Sequence, residues 1–291
     1  MLDERVCNIT SWSVDGFGHQ LHAILTCQAL SLINASYRYV PSVHTRVEHG
    51  PKSHEQLLAF LNEVSGPREE AIQVPVKGAG GRYMGRYRTK RCESCDPICD
   101  MCAPKWAEEP RVRVALRTRA VATLHRFIEG FRCIAADAIC VHMRRRDWAD
   151  LGDLDRRLVP DEFYVSAVQQ LYAMLPPGTP VFVATNGNVS EVRRLFGDRG
   201  ASHTPRVFVH GPEAFLLTQL AQFVHCCAGL VLSASSLSDA IGILSTSRLV
   251  VRPSSNAELT GGRRVAYLHR RTDFNQSDVI RLANVGDARV P

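Results

Sequence analysis

The 291-residue chain contains no long uninterrupted apolar run. No window reaches about 18 consecutive apolar residues, so the sequence predicts no membrane-spanning helix. The opening segment MLDERVCNITSW lacks an apolar core, so we expect no signal peptide in it. Internal repeats and low-complexity tracts are also missing. With 45% hydrophobic and 22% charged residues, the composition indicates a globular protein of one large domain or two ordinary ones.

The chain has more positive charge and more cysteine than an average cytosolic enzyme. A net charge of +6 is compatible with an anionic ligand but does not require nucleic acid. Ten cysteines, and four of eight asparagines in Asn-x-Ser/Thr sequons, favour a secretory lumen and a disulfide-containing glycoprotein. A cytoplasmic protein with chance sequons is the alternative. The sequon asparagines are Asn8, Asn34, Asn188 and Asn275.

The C-terminal half alternates between two kinds of segment. From Ala138 onward, short runs of Val, Ile and Leu alternate with segments of helical periodicity. Such strands are typical of a parallel sheet covered by helices on both faces, so we predict a doubly wound nucleotide-binding domain over residues 133–291. The helical segment EAFLLTQLAQFVHCC would place Cys226 and Cys227 in the core. The predicted strands are AICVHM, PVFVAT, RVFVHG, GLVLSA and, last, RLVVRP.

Residues 1–132 are predicted to form a separate N-terminal domain. RVCNITSW is a short apolar segment, YRYVP is typical of a strand, and LHAILTCQALSLI and RVRVALRTRAVATLHRFIEGF have helical spacing. Gly130 favours a helix stop. Residues from about 50 to 110 are less regular and form a cysteine-rich insertion. The apolar stripe of the last helix consists of Leu116, Ala120, Leu124, Ile128 and Phe131.

Polar residues directly follow four of the predicted strands. Ligands bind outside the carboxyl ends of the strands in a doubly wound sheet, so these residues should share one rim. Serines that open a helix offer hydroxyl and N–H groups to an anion, and facing arginines can grip phosphate oxygens. We interpret the rim as a diphosphate clamp; a solvated basic loop and an ordinary serine helix cap are the alternatives. The rim residues are His142, Arg144, Arg145, Arg146, Asp147, Thr185, Asn186, Gly187, His210, Gly211, Pro212, Ser233, Ala234, Ser235 and Ser236.

A glycine loop, DGFGHQL, lies between an apolar segment and a helix near the start of the chain. Gly16 and Gly18 permit a tight turn and close approach to a ligand. The third glycine of the dinucleotide fingerprint is missing, and no acidic residue ends the next strand, so the loop is weak evidence for NAD. An ordinary tight turn is the alternative.

Four segments together resemble the fucosyltransferase superfamily of the α1,2, α1,6 and protein O-fucosyl enzymes. VHMRRRD resembles the His-x-Arg-Arg-x-Asp motif of that family, and LVLSASSLSDAIGIL its Ser-Ser-Phe-Ser-like turn entering a helix. VFVATNGN is similar to a family strand that ends in Ala-Thr-Asp, and DGFGHQLHAI to a Gly-x-Gly-Asn-Gln loop. The matches occur in family order and cover most of the chain except residues 50–110. The arginine and serine motifs are the most specific.

The resemblance implies a GT-B-type glycosyltransferase, in which two Rossmann-like halves face each other across a cleft. The C-terminal half would bind GDP-fucose, and the N-terminal half would seat a glycan or protein acceptor. The reaction would be inverting and would require neither a metal nor a cofactor. No nucleic-acid partner is implied.

The resemblance also assigns roles to residues. Arg144 would contact the β-phosphate and stabilise the leaving diphosphate, the role that a metal plays elsewhere. Asp15 would take the acceptor proton, with His19 and His22 as alternatives; Asp15 as a simple turn residue is the competing interpretation. The other donor-binding residues would be His142, Arg145, Asp147, Asn186, Ser233, Ser235 and Ser236, with Gly16, Phe17, Gly18 and His19 across the cleft.

Four positions depart from the family pattern. Arg146 stands where Gly or Thr is common, and Asn186 replaces Asp. His19 replaces Asn, and Leu237 replaces Phe. These changes leave another nucleotide sugar open as the donor. They also leave a second hypothesis, a non-catalytic protein of the same fold that binds a nucleotide sugar or a glycan.

The segment CESCDPICDMC holds four closely spaced cysteines. Disulfides are the preferred interpretation because they agree with the sequons and with a secretory lumen. Four thiolates could instead hold a structural zinc ion. Three of them match the C-x3-C-x2-C spacing of radical-SAM enzymes, which makes a metal-cluster enzyme the third hypothesis. The cysteines are Cys92, Cys95, Cys99 and Cys102.

A basic segment, KGAGGRYMGRYRTKR, precedes this cluster and holds six basic residues and no acidic one. Charge and tyrosine stacking could bind RNA. The segment could equally be an insertion beside an acceptor site. A solvated basic loop is the commoner outcome.

Overall fold

The structure is a computed structural model that divides into two compact units, Met1–Glu129 and Gly130–Pro291. It describes residues 5–7, 16–33, 37–44, 54–66, 72–74, 110–145, 159–197, 206–212, 214–253, 266–270 and 278–282. Several sequence predictions lie outside these ranges: Asp15, Arg146, Asp147, the basic segment, and the cluster of Cys92, Cys95, Cys99 and Cys102. Among the described helices, none is both long and apolar enough to cross a bilayer.

The first unit combines helices with two small parallel strand pairs. Strand β1 pairs with β2, and β3 pairs with β4. The aromatic ring of Phe60 packs against Phe17 and Phe127, with ring centroids 5.9 and 5.8 Å apart, respectively. The elements are β1 Arg5–Cys7, α1 Phe17–Ile33, β2 Tyr37–Tyr39, β3 Ser42–His44, α2 His54–Ser65, β4 Ile72–Val74 and α3 Pro110–Phe127.

Helices α1 and α3 overlap the two predicted helices of this part, although α1 begins earlier, at Phe17, and α3 ends at Phe127, before the predicted stop at Gly130. The first four residues of the predicted apolar stripe are buried. The prediction of an irregular segment from about 50 to 110 is wrong at its beginning, because α2 and β4 lie there. Helix α2 buries Leu57, Phe60, Leu61 and Val64 at helical spacing. That spacing is present in the sequence but stands among glycines and charges, which obscured it.

The second unit is a single seven-stranded sheet with helices. Its strand order is β11-β10-β9-β8-β5-β6-β7. The five strands from β9 to β7 are mutually parallel, whereas β10 and β11 are antiparallel. The elements are β5 Ala138–Met143, α4 Asp161–Tyr172, β6 Val181–Thr185, α5 Val189–Gly197, β7 Val207–His210, α6 Leu216–His225, β8 Cys227–Val231, α7 Ser236–Leu244, β9 Leu249–Pro253, β10 Ala266–Arg270 and β11 Asp278–Leu282.

The predicted parallel sheet of the C-terminal half is therefore confirmed. The prediction that RLVVRP is the last strand is wrong, since β10 and β11 extend the sheet at the β9 edge. Numbered by appearance in the chain, the parallel strands lie in the order 3-2-1-4-5, which is that of Rossmann-like domains. The order reverses between β5 and β8, and a crevice is expected outside the carboxyl ends of these two strands.

Both faces of strand β5 are covered, which explains its near-continuous apolar sequence. Ile139, Val141 and Met143 belong to a cluster that includes residues of α4. His142 points to the opposite face, where its ring lies 5.9 Å from that of Phe223 on α6. The same strand thus ends in a polar side chain on the face that carries α6 and α7.

Two disulfides link β5 and the segment before it to the end of α6 and the start of β8. They join Cys133 to Cys226 and Cys140 to Cys227. The prediction that Cys226 and Cys227 are helical core residues is wrong in part. Both are buried, but α6 ends at His225 and Cys227 already belongs to β8. An apolar run cannot reveal by itself where a buried helix ends and a buried strand begins.

Candidate functional site

The candidate site lies at the carboxyl ends of β5 and β8, where the strand order reverses. The residues after β5 carry the arginines, and those after β8 carry the serines that lead into α7. His142 and Ser238 join the two sides, with the Nδ1 atom of His142 2.6 Å from the Oγ atom of Ser238. The structure therefore brings the predicted arginine and serine motifs together at one rim.

A compact hydroxyl network surrounds His142. The Oγ atoms of Ser233 and Ser238 are 2.9 Å apart, and the N–H of Ser233 donates to Ser238 Oγ at 3.0 Å. Ser238 is fully buried. Sequence reasoning missed Ser238, although its position three residues after a helix-capping serine was a usable signal.

Ser235 is the N-cap residue of α7. Its Oγ accepts a hydrogen bond from the N–H of Ser238 at 3.2 Å, and its backbone is extended. In both of its described hydrogen bonds Ser235 Oγ is the acceptor, so its O–H can still donate to a phosphate, and the predicted contact stays a prediction. The N–H groups of Ser236 and Leu237 in the first turn have no carbonyl partner inside the helix, so they are further candidates for contact with an anion.

His142 is held in its neutral form. Burial lowers the pKa of His142 to about 3, and the positive charge of Arg144 contributes to the decrease. At neutral pH the imidazole therefore adds no charge to the rim. The positive potential next to it comes from Arg144 and from the N-terminus of α7.

Arg145 is fixed on the other side of the strand end. Its guanidinium forms an ion pair with Asp161 in the first turn of α4. Its side chain also passes so close to Gly187 that a β-carbon there would lie 3.0 Å from Arg145 Cδ. The structure thus directs Arg145 towards α4, a placement that favours a positioning role over the predicted contact with the donor.

Asn186 connects the loops that follow β5 and β6. Its Oδ1 atom accepts a hydrogen bond of 2.6 Å from the backbone N–H of Arg145. The N–H of Gly187 donates to Thr185 Oγ1 at 2.9 Å, which tightens the same turn. The predicted contact of Asn186 with the donor stays a prediction, because the bond from Arg145 uses only one of the two lone pairs of Oδ1.

Arg252 is a rim residue that sequence reasoning missed. It stands next to the end of β9 and pairs with Asp239 of α7 at 3.6 Å. Gly242 of the same helix leaves the space that the guanidinium fills, since a β-carbon there would clash with Arg252 Nη2. The signal was available in RLVVRP, where an arginine stands near the end of an apolar strand.

In the first unit, the predicted glycine loop is the beginning of α1. The carbonyl of Gly16 accepts from the N–H groups of His19 and Gln20, at 3.1 and 3.3 Å. Gly18 lies in the first helical turn. The side chain of Phe17 is only 1% exposed and packs on Phe60, so it is a core residue and not the ligand-lining residue predicted.

The histidines of α1 differ in accessibility. His19 is half-buried, whereas His22 is 1% exposed. The burial of His22 argues against it as the alternative general base, because a base must reach the acceptor hydroxyl. The role of His19 as an alternative general base stays a prediction.

A polar groove of about 540 Å³ lies between α2 and α3. Arg126 forms an ion pair with Glu63 in it. The guanidinium of Arg119 lies beside Gly66, with Nη2 3.0 Å from the position of a β-carbon there. The lining residues are Ala59, Asn62, Glu63, Gly66, Arg119, Ala122, Thr123 and Arg126.

The described residues give no independent identification of a ligand. Within those ranges, no group of three or more His, Cys, Asp and Glu side chains is arranged to hold a metal ion. Comparison of the chain with protein-family models, with curated proteins and with solved structures found no match.

Proposed function

We propose that this protein is a glycosyltransferase that transfers fucose from GDP-fucose to a hydroxyl of a glycan or protein. The observation that carries the proposal is the rim at the β5/β8 crevice. The sheet, which is Rossmann-like, reverses its strand order at this crevice. The crevice is lined by Arg144, by a neutral His142 and by the N-terminus of α7. This combination suits the diphosphate of a nucleotide sugar.

The proposed reaction breaks the bond between the sugar C1 atom and the β-phosphate oxygen. The electron pair of that bond goes to the departing GDP, and the acceptor oxygen forms the new bond to C1 from the opposite face. Arg144 and the first-turn N–H groups of α7 stabilise the negative charge that develops on the diphosphate. The acceptor proton goes to a base, for which Asp15 is the proposed residue. No metal is required in this scheme.

Arg145 acts as a positioning residue in this proposal. The ion pair with Asp161 and the hydrogen bond from its backbone to Asn186 fix the segment that carries Arg144. A fixed arginine loses less conformational entropy when it binds phosphate. We also propose a GT-B arrangement in which the first unit seats the acceptor, and the groove with Asn62 and Arg119 is the described surface that could hold a polar ligand.

A second candidate is a protein of the same fold that binds a nucleotide sugar without turnover. Two observations favour it: the Asn186 side chain is bonded to the backbone of Arg145, and Phe17 is buried in the core. The metal-cluster hypothesis depends on cysteines outside the described residues, and no contact described above favours it.

The first test is a calorimetric and thermal-shift titration with GDP, GDP-fucose, UDP and ADP. A ligand that binds the native state raises the melting temperature. We expect guanine nucleotides alone to bind, and Arg144→Ala to weaken binding about 10- to 100-fold, the range for a hydrogen bond to a charged group. Arg193→Ala removes the same charge from an exposed position of α5 and is the matched control. The proposal is wrong if no nucleotide binds.

Turnover separates the two candidates. Release of GDP from GDP-fucose is measured with a panel of glycan and peptide acceptors, for the wild type and for Arg144→Ala. Transfer by the wild type that disappears in the variant supports the enzyme. Tight GDP binding with no transfer to any acceptor supports the binding protein.

A further inference from the structure

The turn after β6 contains a sequon whose three residues all lie within the described part of the chain. Asn188, Val189 and Ser190 lead from the rim into α5. The side chain of Asn188 is exposed, although Gly187 immediately before it is buried. The sequon thus stands on the surface, at the edge of the candidate site.

The side-chain amide of Asn188 caps helix α5 through its oxygen atom. Its Oδ1 atom accepts hydrogen bonds from the backbone N–H of Ser190 at 2.9 Å and of Glu191 at 3.3 Å, so it caps α5. An asparagine side chain also carries two N–H donors on its nitrogen. N-glycosylation replaces one of these hydrogens and leaves the carbonyl oxygen in place, so a glycan and the helix cap are compatible.

The disulfides supply the second observation. Cys133–Cys226 and Cys140–Cys227 are closed in the second unit, and Cys27 of the first unit is disulfide-bonded as well. Disulfides form and persist in oxidising compartments, and Asn-x-Ser/Thr sequons are glycosylated in proteins that pass through such compartments.

We infer that Asn188 carries an N-linked glycan at the edge of the β5/β8 rim. The new bond joins Asn188 Nδ2 to C1 of an oligosaccharide. The sugar comes from an oligosaccharide diphosphate carrier, whose C1–O bond breaks with the electron pair retained by the phosphate, while the amide proton is released. The inference is independent of the proposed activity, because it depends on the exposure of Asn188, the cap geometry and the oxidising compartment.

The test is site-specific glycopeptide mass spectrometry on the full chain produced in a eukaryotic secretory system. Trypsin should release residues 158–193 as one peptide, which contains Asn186 and Asn188 and no other asparagine. Enzymatic removal of the glycan in ¹⁸O-water marks the modified asparagine, and fragment ions distinguish Asn188 from Asn186, whose Asn-Gly sequence deamidates spontaneously. We expect the label on Asn188 in a protein whose two disulfides are closed.

Two variants remove the sequon without removing the helix cap. Ser190→Ala keeps the N–H that bonds to Asn188, and Asn188→Asp keeps an oxygen that accepts it. Both should lose the glycopeptide and fold with melting temperatures close to that of the deglycosylated wild type. An unmodified Asn188 in disulfide-bonded wild type overturns the inference, as does a glycan on this peptide that persists in both variants.

Discussion

Lowering the pH from 7.5 to 5 should destabilise the second unit through His142. Burial and the charge of Arg144 hold the pKa of His142 at about 3, against 6.5 for an unperturbed imidazole. Because the folded-state pKa is depressed, the stability that depends on the neutral ring is complete above about pH 6.5 and is lost as the pH falls towards 3. At pH 5 the unfolded ring is protonated while the folded ring is neutral, so the loss reaches about 2 kcal/mol.

The assay compares the urea-induced unfolding of the wild type and of His142→Asn at pH 7.5 and pH 5, with the disulfides intact. Other histidines titrate in both proteins, so only the difference between their pH dependences reports on His142. The wild type should lose about 2 kcal/mol more than the variant. Direct titration of ¹³C-labelled imidazoles by NMR gives the pKa of His142 independently. A folded-state pKa near 6.5, or equal pH dependence of the two proteins, would refute the reasoning.

Arg144 and His142 should also be coupled. Arg144→Ala removes the lesser of the two causes of the depressed pKa, so the pKa of His142 should rise but stay below 6.5, because burial persists. A diphosphate bound at Arg144 should raise it in the same direction, since an anion favours the imidazolium. The same NMR titration measures both effects.

Three further substitutions test the packing of the rim. In Gly187→Ala the new β-carbon would lie 3.0 Å from Arg145 Cδ. We therefore expect the free energy of unfolding, measured by calorimetry, to fall by about 1–3 kcal/mol and the Arg145 side chain to be displaced. Asp161→Asn breaks the ion pair of Arg145 and is the comparison. Gly242→Ala should destabilise the wild type, and should cost less in an Arg252→Ala background, because the guanidinium is gone there while Leu232 Cδ1 still lies 3.0 Å from the new β-carbon. Ser238→Ala removes the hydroxyl that contacts His142 and accepts from the N–H of Ser233, and it leaves His142 only the longer contact of 3.4 Å with Ser233 Oγ, so it should cost about 1–3 kcal/mol in chemical unfolding. Ser236→Ala at the half-buried first position should cost less than about 0.5 kcal/mol.

The five parallel strands could be predicted because their apolar runs are interrupted only by helical segments. Strands β10 and β11 could not, since AYLHR and DVIRL lack a continuous apolar run. The end of α6 at His225 was equally invisible, because helix and strand are both buried there. Local composition therefore identified the buried parallel strands and failed at a sheet edge, at a helix–strand junction and at helix α2.

The rim illustrates the same limit for side chains. His142, Ser233 and Ser235 were identified from their places after strands, and the structure brings them together. Arg145 pairs with Asp161, 16 residues further along the chain, and Asn186 bonds to Arg145 across 41 residues. No local sequence pattern encodes contacts between such distant segments. Phe17 was assigned to a ligand because of its neighbours in the sequence, whereas burial against Phe60 determines its environment.

The Cys140–Cys227 bond has a consequence for how the crevice can move. It joins β5 to β8, the two strands whose carboxyl ends form the crevice, and it closes a covalent ring that contains β6, β7 and helices α4 to α6. The bond therefore keeps the two strands side by side below the crevice, even if the backbone hydrogen bonds of the sheet open transiently. We expect adjustment to an incoming ligand to come mainly from the segments beyond the strand ends, with the base of the crevice as a preorganised seat.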